Sequence, residues 1–585
     1  MFQSRKKETK NKFSSSQLKL DDNSQLAVIG SGPAGSFFSY FLLNMAERVG
    51  INIQIDIFES RDFSSAAPIG CNMCGGIISE SLVQTLATEG INLPPTVVQR
   101  GIESYTLHMD VGSVVIKTPI HEKRIGAVYR GAGPRDIKEK KWDSFDGFLQ
   151  ELTKEKGAQI VQGRVNNISW EGGRPQVKTR EGFKKTYDLL AVAVGVNSPT
   201  IKLFNETDYV APVTTKTFIC EYYLGKETVD NSLGSSMHTF LLNIPKLEFA
   251  AFIPKGDYVT VCMLGKEIDK ELVLSFLENP EVKDCMPPSW TLTQNACQCY
   301  PRINVKGSDK PFSERMVFIG DCGVSRLYKD GIGAAYHTAK AAATTVIFEG
   351  ISADDFNKHF WPACRRVEHD NRIGKIIFFA VGKLQKFRFV RRAILRMVTM
   401  EQKGNQGQKR MSMALWDMFT GSAPYKEVLL RMLHPLFIAR FLWNMIVAVW
   451  PLKRKSEQKG DPMSTGDLGK VYQDGEVIIR QGEAGDCMYE ILSGKVEVIQ
   501  EKDDKNIRLA VLSKGDFFGE MAIFEREVRS ATVRALGEVR ALTIDKRIFL
   551  RRIIQDPSLA FRIVERMSNR IRELNAEIVR LKTKT

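Results

Sequence analysis

Long apolar runs are missing from this 585-residue chain, and cysteine and histidine are scarce. The most apolar segment, Leu436 to Trp450, is 15 residues long and contains Arg440 and Asn444, short of the roughly 20 residues a spanning helix needs. A polytopic membrane protein is therefore not expected. Ten cysteines are too sparse for a disulfide scaffold. Met1 to Asp22 is polar, with Arg5, Lys6, Lys7, Lys10 and Lys12, and lacks the apolar core of a secretory signal. A reducing cytoplasm is the expectation. Seven histidines leave little room for metal chemistry, and His108, His121 and His337 show no ligand spacing, which points to structural or surface roles. No internal repeat is present. Acidic residues are outnumbered, 68 against 83 Lys and Arg, and this net charge of +15 calls for an anionic partner: nucleic acid, a membrane surface or a phosphorylated ligand.

The length is about four times the ~150-residue prior for one domain, so two or three domains are expected. Residues 1–24 read as a disordered tail. Order begins at Leu26-Ala27-Val28-Ile29, which leads into Gly30-Ser-Gly32-Pro33-Ala34-Gly35 and an apolar stretch, Phe37 to Met45, of helical length. A second strand is predicted over Ile51 to Phe58, ending in Glu59, which completes a βαβ unit. Glycines 30, 32 and 35 suit the tight turn, the close approach to a pyrophosphate and the helix packing of a dinucleotide fold. Glu59, 24 residues beyond Gly35, lies where a carboxylate binds the adenosine ribose. Further strands are predicted at Leu189 to Val194 and Met316 to Ile319, and a helix at Ala334 to Ile347. The dinucleotide domain is thus discontinuous.

Gly320-Asp321, followed by Asp330-Gly331-Ile332-Gly333, resembles the Gly-Asp motif of the p-hydroxybenzoate-hydroxylase-like flavoproteins. The resemblance implies FAD, with Asp321 on the ribityl chain and the glycine-rich helix start directing its dipole at the flavin. Arg130 joins Gly30, Gly32, Pro33, Ala34, Gly35, Glu59, Gly320, Asp321, Gly331, Ile332 and Gly333 in the implied cofactor set. Within that superfamily, residues 25–430 resemble geranylgeranyl reductases through Cys71-Asn-Met-Cys74-Gly75-Gly76, Phe249-Ala-Ala251-Phe-Ile253-Pro254 and Phe419-Thr-Gly421. The second departs from the family's Tyr-x-Trp-x-Phe-Pro, with Phe249 for the tyrosine and Ala251 for the tryptophan. The match puts Cys74 beside the flavin as the catalytic candidate. Two other readings stay open: an inert thiol, or a metal site pairing Cys71 and Cys74 with Cys297 and Cys299.

From about Asp467 the chain turns to short strands with glycine turns, the pattern of a small β-roll. Phe517-Phe-Gly519-Glu520-Met521-Ala522, then Val528-Arg529-Ser530-Ala-Thr532, resembles the cyclic-nucleotide-binding domains of the catabolite activator and the protein-kinase regulatory subunits. The resemblance implies that Glu520 takes the ribose 2′-hydroxyl and Arg529 the cyclic phosphate, with Gly519, Met521, Ala522, Ser530 and Thr532 completing a site for cAMP or cGMP. Pro557 to Lys582 reads as an amphipathic helix suited to forming a homodimer. No helix-turn-helix follows Leu581, so DNA is not an expected partner.

Between these parts, Arg365 to Arg410 carries 13 Lys or Arg against three acids. The apolar segment Leu436 to Leu452 follows, with Lys453-Arg-Lys at its end. This suits a helix on an anionic membrane surface; an inter-domain or dimer core helix is the alternative. The expected architecture is α/β: a Rossmann-type FAD-binding domain with an inserted mixed-sheet substrate domain (25–363), a basic helical region (364–452), a linker (453–464) and a β-roll with C-terminal helix (465–585). The function this implies is an FAD-dependent reductase of an isoprenoid or quinone, governed by a cyclic nucleotide and peripheral on the inner face of the membrane. Electrons come from NAD(P)H docking transiently or from a protein donor, since no second GxGxxG is present. A flavin monooxygenase and a non-enzymatic redox and nucleotide sensor are the competing readings.

Overall fold

The computed structural model describes residues 18–582 except 72, 119–121, 136, 138–141, 206, 288–295, 405–408, 449–467, 503–504, 522, 524–527, 547–548, 551–552 and 554–557. His121, the linker 453–464, most of the tail and Ala522 fall outside the described residues. The chain divides into two compact units, each assembled from three separated segments.

The first unit holds 1–65, 146–215 and 301–375. Its six-stranded sheet runs Phe312–Ser313, Met316–Phe318, Leu189–Val192, Gln25–Ile29, Gln54–Glu59, Gln159–Gln162, all parallel except the first strand. Leu26 to Ile29 and Leu189 to Val192 are buried on both faces, as central parallel strands must be. The second strand starts at Gln54, three residues later than its alternation suggests, because Ile51 to Ile53 form the return from the preceding helix. Asp56, an apparent outward position, is buried, and its carboxylate accepts the Tyr187 hydroxyl at 2.7 Å and Lys185 Nζ at 2.8 Å. Helices Pro33–Val49 and Gly331–Phe348 pack together, with Tyr336 edge-on to Phe37 and Phe41 at 5.5 and 5.3 Å. Both exceed the sequence expectation at each end, since the glycine turns themselves supply the first helical residues.

The second unit holds 66–145, 216–300 and 376–585. Its seven-stranded sheet runs Cys297–Cys299, Phe218–Tyr223, Tyr258–Gly265, Leu247–Lys255, Ser236–Phe240, Ser104–Met109, Gly112–Lys117. Alternation sends Phe218, Cys220 and Tyr222 into an apolar core with Phe252, Val261 and Phe276. Beyond the sheet, helices Arg388–Lys403, Arg410–Thr420 and Pro435–Val447 share a second core with Tyr105, Ile116 and Ala251 through Met397, Trp416 and Phe437. Within the basic region Arg391 is buried, with its Nε and Nη2 donating to the two Asp110 carboxylate oxygens at 2.5 and 2.7 Å. The last sheet of the unit is the roll. Thr532–Asp545 and Cys487–Lys502 pair antiparallel at its centre around Ile491, Val496, Val533 and Ala541, and the chain closes with helix Ser558–Lys582. Among the described residues no helix is long and apolar enough to cross a membrane.

Candidate functional site

In the first unit the glycine turn forms a cradle. Gly32 precedes the helix in extended conformation, Pro33 supplies no N–H, and no side chain caps the first turn. The Gly32 and Ala34 amides and the positive end of the helix are left for an anion. Gly30 has φ +99°, and a Cβ there would lie 2.7 Å from the Ala193 carbonyl oxygen; a Cβ on Gly35 would lie 1.9 Å from the Gly30 carbonyl oxygen. Glu59, the last residue of its strand, is buried. Its Oε2 accepts the Ser31 amide at 2.9 Å, and its Oε1 accepts the Ser60 and Arg61 amides at 2.8 and 2.9 Å. The carboxylate is thereby held next to the cradle. Gly320, at φ +69°, donates its amide to Thr338 Oγ1. Asp321 adjoins the second helix start, where a Cβ on Gly331 would be 3.8 Å from Asp321 Oδ1 and one on Gly333 only 2.4 Å from the Asp330 carboxylate. Ile332 is buried in the first turn of that helix. These residues fit a dinucleotide: two uncapped glycine-rich helix starts, a ribose-type carboxylate and a second acid lie in one unit. Arg130 belongs to the second unit, half-buried, with its carbonyl accepting the Ser144 hydroxyl.

In the second unit one face of the seven-stranded sheet is rich in thiols. Cross-strand pairing sets Ile219 opposite Cys262 and Cys299, and Glu221 opposite Thr260 and Cys297. Cross-strand partners share a face, so all six side chains do. The Cys-Gly-Gly segment lies against them, since a Cβ on Gly75 would meet Cys262 Sγ at 2.8 Å. Cys71 Sγ accepts the Met73 amide, and Cys74 Sγ the Gly76 amide. Burial raises Cys71 and Cys262, and pushes Cys299 up to about 12, so these thiols stay protonated at neutral pH. Lys255, 1% exposed, pairs with Glu221 at 3.4 Å. Among the described residues Cys71, Cys74, Cys297 and Cys299 do not converge as a ligand set. The only His, Cys, Asp or Glu group there with three donor atoms within 4.8 Å is His108, His238 and Cys285. Its atoms have partners: His108 Nε2 lies 3.0 Å from His238 Nδ1, and Cys285 Sγ donates to the Glu281 carbonyl. His238 and Cys285 carried no sequence signal, because the register of two strands 130 residues apart brings the rings together.

In the roll, Arg529 is buried, and its guanidinium donates to the Gly519 and Cys487 carbonyls at 2.7 and 2.8 Å. Gly519 has φ +78°, and a Cβ there would lie 2.6 Å from an Arg529 nitrogen. Glu520 lies 3.6 Å from Arg570 of the C-terminal helix. Met521 and Ser530 are exposed neighbours, Oγ to Sδ 3.7 Å, while the Thr532 hydroxyl is engaged by Glu501 and the Gln481 amide.

A buried ionic network joins the roll to the rest of this unit. Arg124 donates to Glu80 at 2.9 Å, Glu122 at 3.3 Å, Asp545 at 2.8 Å and the Thr543 carbonyl at 3.4 Å. The Thr543 amide donates in turn to Glu122 at 2.8 Å, while Trp416 Nε1 and the Ser422 hydroxyl bind the second Glu80 oxygen. Nothing in the local sequence marks these residues.

Residues 469–556 match the family model for the cyclic nucleotide-binding domain. Similar relatives include the cAMP-dependent protein kinase type II regulatory subunit of Drosophila melanogaster, 33% identical over 147 residues, which are 25% of this chain and 37% of the relative. Another is the cGMP-dependent protein kinase egl-4 of Caenorhabditis elegans, 39% identical over 113 residues, 18% of this chain and 14% of the relative. The chain spans well under half of either. A solved flavoprotein/dehydrogenase from Cytophaga hutchinsonii superposes with a TM-score of 0.51 at 12% identity, covering 73% of this chain and all of its own. The halogenase PltM covers 73% of this chain and 92% of its own, with a TM-score of 0.47 at 13% identity. The fold is therefore like that of the Cytophaga flavoprotein, mixed sheets and helices included, followed by a cyclic nucleotide-binding domain.

Proposed function

We propose that this protein is an FAD-dependent oxidoreductase, a reductase of an isoprenoid or quinone-type substrate similar to geranylgeranyl reductases, whose activity a cyclic nucleotide governs. The observation that carries it is the pairing, in one unit, of the uncapped Gly30 to Gly35 helix start and Glu59 with the Gly320-Asp321 turn. In this reading the Gly32 and Ala34 amides hold the pyrophosphate, Glu59 the adenosine ribose and Asp321 the ribityl chain, while the helix start at Gly331 to Gly333 faces its dipole to the ring; Arg130 completes the set. Bound FAD supplies the hydride chemistry. The proton comes from Cys74, whose neighbours are neutral thiols, or from solvent, and electrons enter from NAD(P)H or a protein. Anaerobic photoreduction of the FAD-loaded protein, followed by mixing with prenyl lipids, quinones or oxygen, tests this. Reoxidation by a prenyl lipid or quinone is expected; reoxidation by oxygen alone, coupled to substrate hydroxylation, makes it a monooxygenase.

Regulation rests on Gly519, Glu520, Met521, Ala522, Arg529, Ser530 and Thr532. In this reading a cyclic phosphate replaces the Gly519 and Cys487 carbonyls as the partner of Arg529. Arg529→Ala will weaken cAMP or cGMP binding about ten- to hundred-fold, the loss of a charge-assisted bond. Calorimetry reads this; an unchanged affinity rejects the site.

Membrane association is supported by helix Pro435–Val447. Its polar stripe turns inward at Asn444, while Leu436, Leu442, Trp443 and Ile446 are each at least half exposed beside the basic region. Apolar burial and attraction to anionic headgroups act together on such a surface. Flotation with phosphatidylserine vesicles is expected for the wild type, weakened by salt and lost in Trp443→Glu with Ile446→Glu. Equal flotation of both proteins, or none by the wild type, removes the membrane. The exposed face of the C-terminal helix, with Met567, Ile571, Leu574 and Ile578, is proposed as a homodimer seam.

A further inference from the structure

The thiol-lined face holds more hydrogen-bond donors than it uses. The Lys255 ammonium is buried, yet among the described residues its hydrogen bonding amounts to one contact of 3.4 Å with Glu221 Oε1, and Glu221 Oε2 is taken by the Thr260 hydroxyl at 2.7 Å. An ammonium has three donors. The same ammonium stands over the Tyr129 ring, 5.0 Å from its centroid. The Tyr129 hydroxyl is itself buried and has no hydrogen-bond partner among the described residues. Burial, and then the Glu221 charge, hold this phenol protonated well above its ordinary range, so it remains a donor at any physiological pH. Gly76 closes the group: a Cβ there would lie 3.0 Å from Lys255 Nζ and 1.9 Å from the Val128 carbonyl oxygen.

Buried polar groups are nearly always satisfied, and each exception asks for an explanation. Leaving one unpaired is costly, and more so for a charge. The neighbouring thiols are protonated and weak acceptors, so they do not supply what is missing. An oxygen that carries, or comes to carry, negative charge would take up donors of this kind.

We propose that Lys255 and Tyr129 form a donor site for the carbonyl oxygen of a quinone or other conjugated carbonyl compound. This rests on the reductase reading and narrows its substrate class. Hydride added to an enone breaks the C=C π bond, forms a C–H bond and moves the electron pair to the carbonyl oxygen; a quinone gives the hydroquinone anion. A reduced flavin is the hydride donor and is itself oxidised, and Cys74 or solvent supplies the final proton. Donors within reach of that oxygen would stabilise the charge as it develops. On an isolated alkene the charge would fall on carbon, where such donors offer little.

Titration calorimetry of the oxidised, FAD-loaded full chain with duroquinone, whose ring has no free position for thiol addition, reads the site without turnover. Micromolar binding is expected for the wild type, about ten-fold weaker in Tyr129→Phe, the loss of one hydrogen bond. Geranylgeraniol affinity will not change in that variant. The thermal midpoint of ligand-free Tyr129→Phe will equal or exceed that of the wild type, since the deleted hydroxyl gives up no partner. A lowered midpoint makes the hydroxyl structural and overturns the proposal. Equal duroquinone affinity in wild type and Tyr129→Phe overturns it too, as does wild-type binding weaker than millimolar. Chloride or acetate binding that depends on Tyr129, without duroquinone binding, makes this a small-anion site and also overturns it. If photoreduced flavin is reoxidised by geranylgeraniol while duroquinone does not bind, the reductase reading stands and only this narrowing falls. If nothing reoxidises the flavin, the reductase reading falls and the titration still decides the donor site.

Discussion

Gly35→Ala will yield protein that holds less than about a tenth of its FAD. The added Cβ would sit 1.9 Å from the Gly30 carbonyl oxygen, 3.0 Å from its carbon and 3.2 Å from Val28 Cγ1. Two of these are backbone atoms of the cradle itself, so no side chain can rotate away. Relief comes only from parting the helix start from the strand, which moves the Gly32 and Ala34 amides off their anion position. Overpacking of this kind costs about 1 to 3 kcal/mol where side chains can yield, and more where they cannot. Gly382→Ala is the control, because a Cβ there meets nothing within 4 Å. Flavin absorbance per mole of purified protein measures the effect. Full occupancy in Gly35→Ala would place the dinucleotide elsewhere.

The second large effect is expected at Arg124. Its side chain is 2% exposed, and it is the cation facing Glu80 and Glu122, themselves 5% and 1% exposed. Arg124→Met leaves two buried carboxylates without a counter-charge, a loss of about 3 to 5 kcal/mol for a broken buried pair. The deficit will depend on pH. Burial already raises Glu122 above its ordinary value, and Arg124 is what pulls it back down. Without Arg124 the folded variant keeps protons that the unfolded chain releases above pH of about 4.5, so its stability falls as pH rises from there. The gap to the wild type will be smaller at pH 5 than at pH 7.5, read from denaturant midpoints. A gap that does not change with pH would mean that the carboxylates have found other partners. Asp545→Asn, milder because Asp545 is partly exposed, will leave nucleotide binding intact while reducing the response of flavin turnover to it.

What was legible in the sequence was chemistry written within a few residues. Gly30 to Gly35 and Gly320-Asp321 each encode a turn whose geometry is local, and the roll follows from closely spaced strands. The place of Glu59 beside the glycine turn was readable because one helix, one turn and one strand set its distance from Gly35. Helix ends were read short, since propensity discounts the very glycines and proline that begin Pro33–Val49. Asp56 misled the alternation rule because a central parallel strand buries both faces and hides a polar residue by pairing it with Tyr187 and Lys185. The His108 and His238 pair depends on a register spanning 130 residues, and the Arg124 to Asp545 bond on one spanning 421. Neither separation leaves a periodic trace. Thr532 shows the converse: its motif position was plain, but not that its hydroxyl is spent on Glu501.

Glu80 bears on how freely this protein's parts can be exchanged. One carboxylate receives the indole of Trp416, the hydroxyl of Ser422 and the guanidinium of Arg124, and that guanidinium reaches on to the last strand of the roll. The roll is thus not a detachable cassette. A nucleotide-binding domain grafted from another protein would have to bring an acid at the place of Asp545 and a backbone amide aligned like that of Thr543, or leave Arg124 and Glu122 buried with fewer bonds than they now make. Divergence along this lineage is expected to be concerted at those positions, with the roll and the helices around Glu80 changing together or not at all.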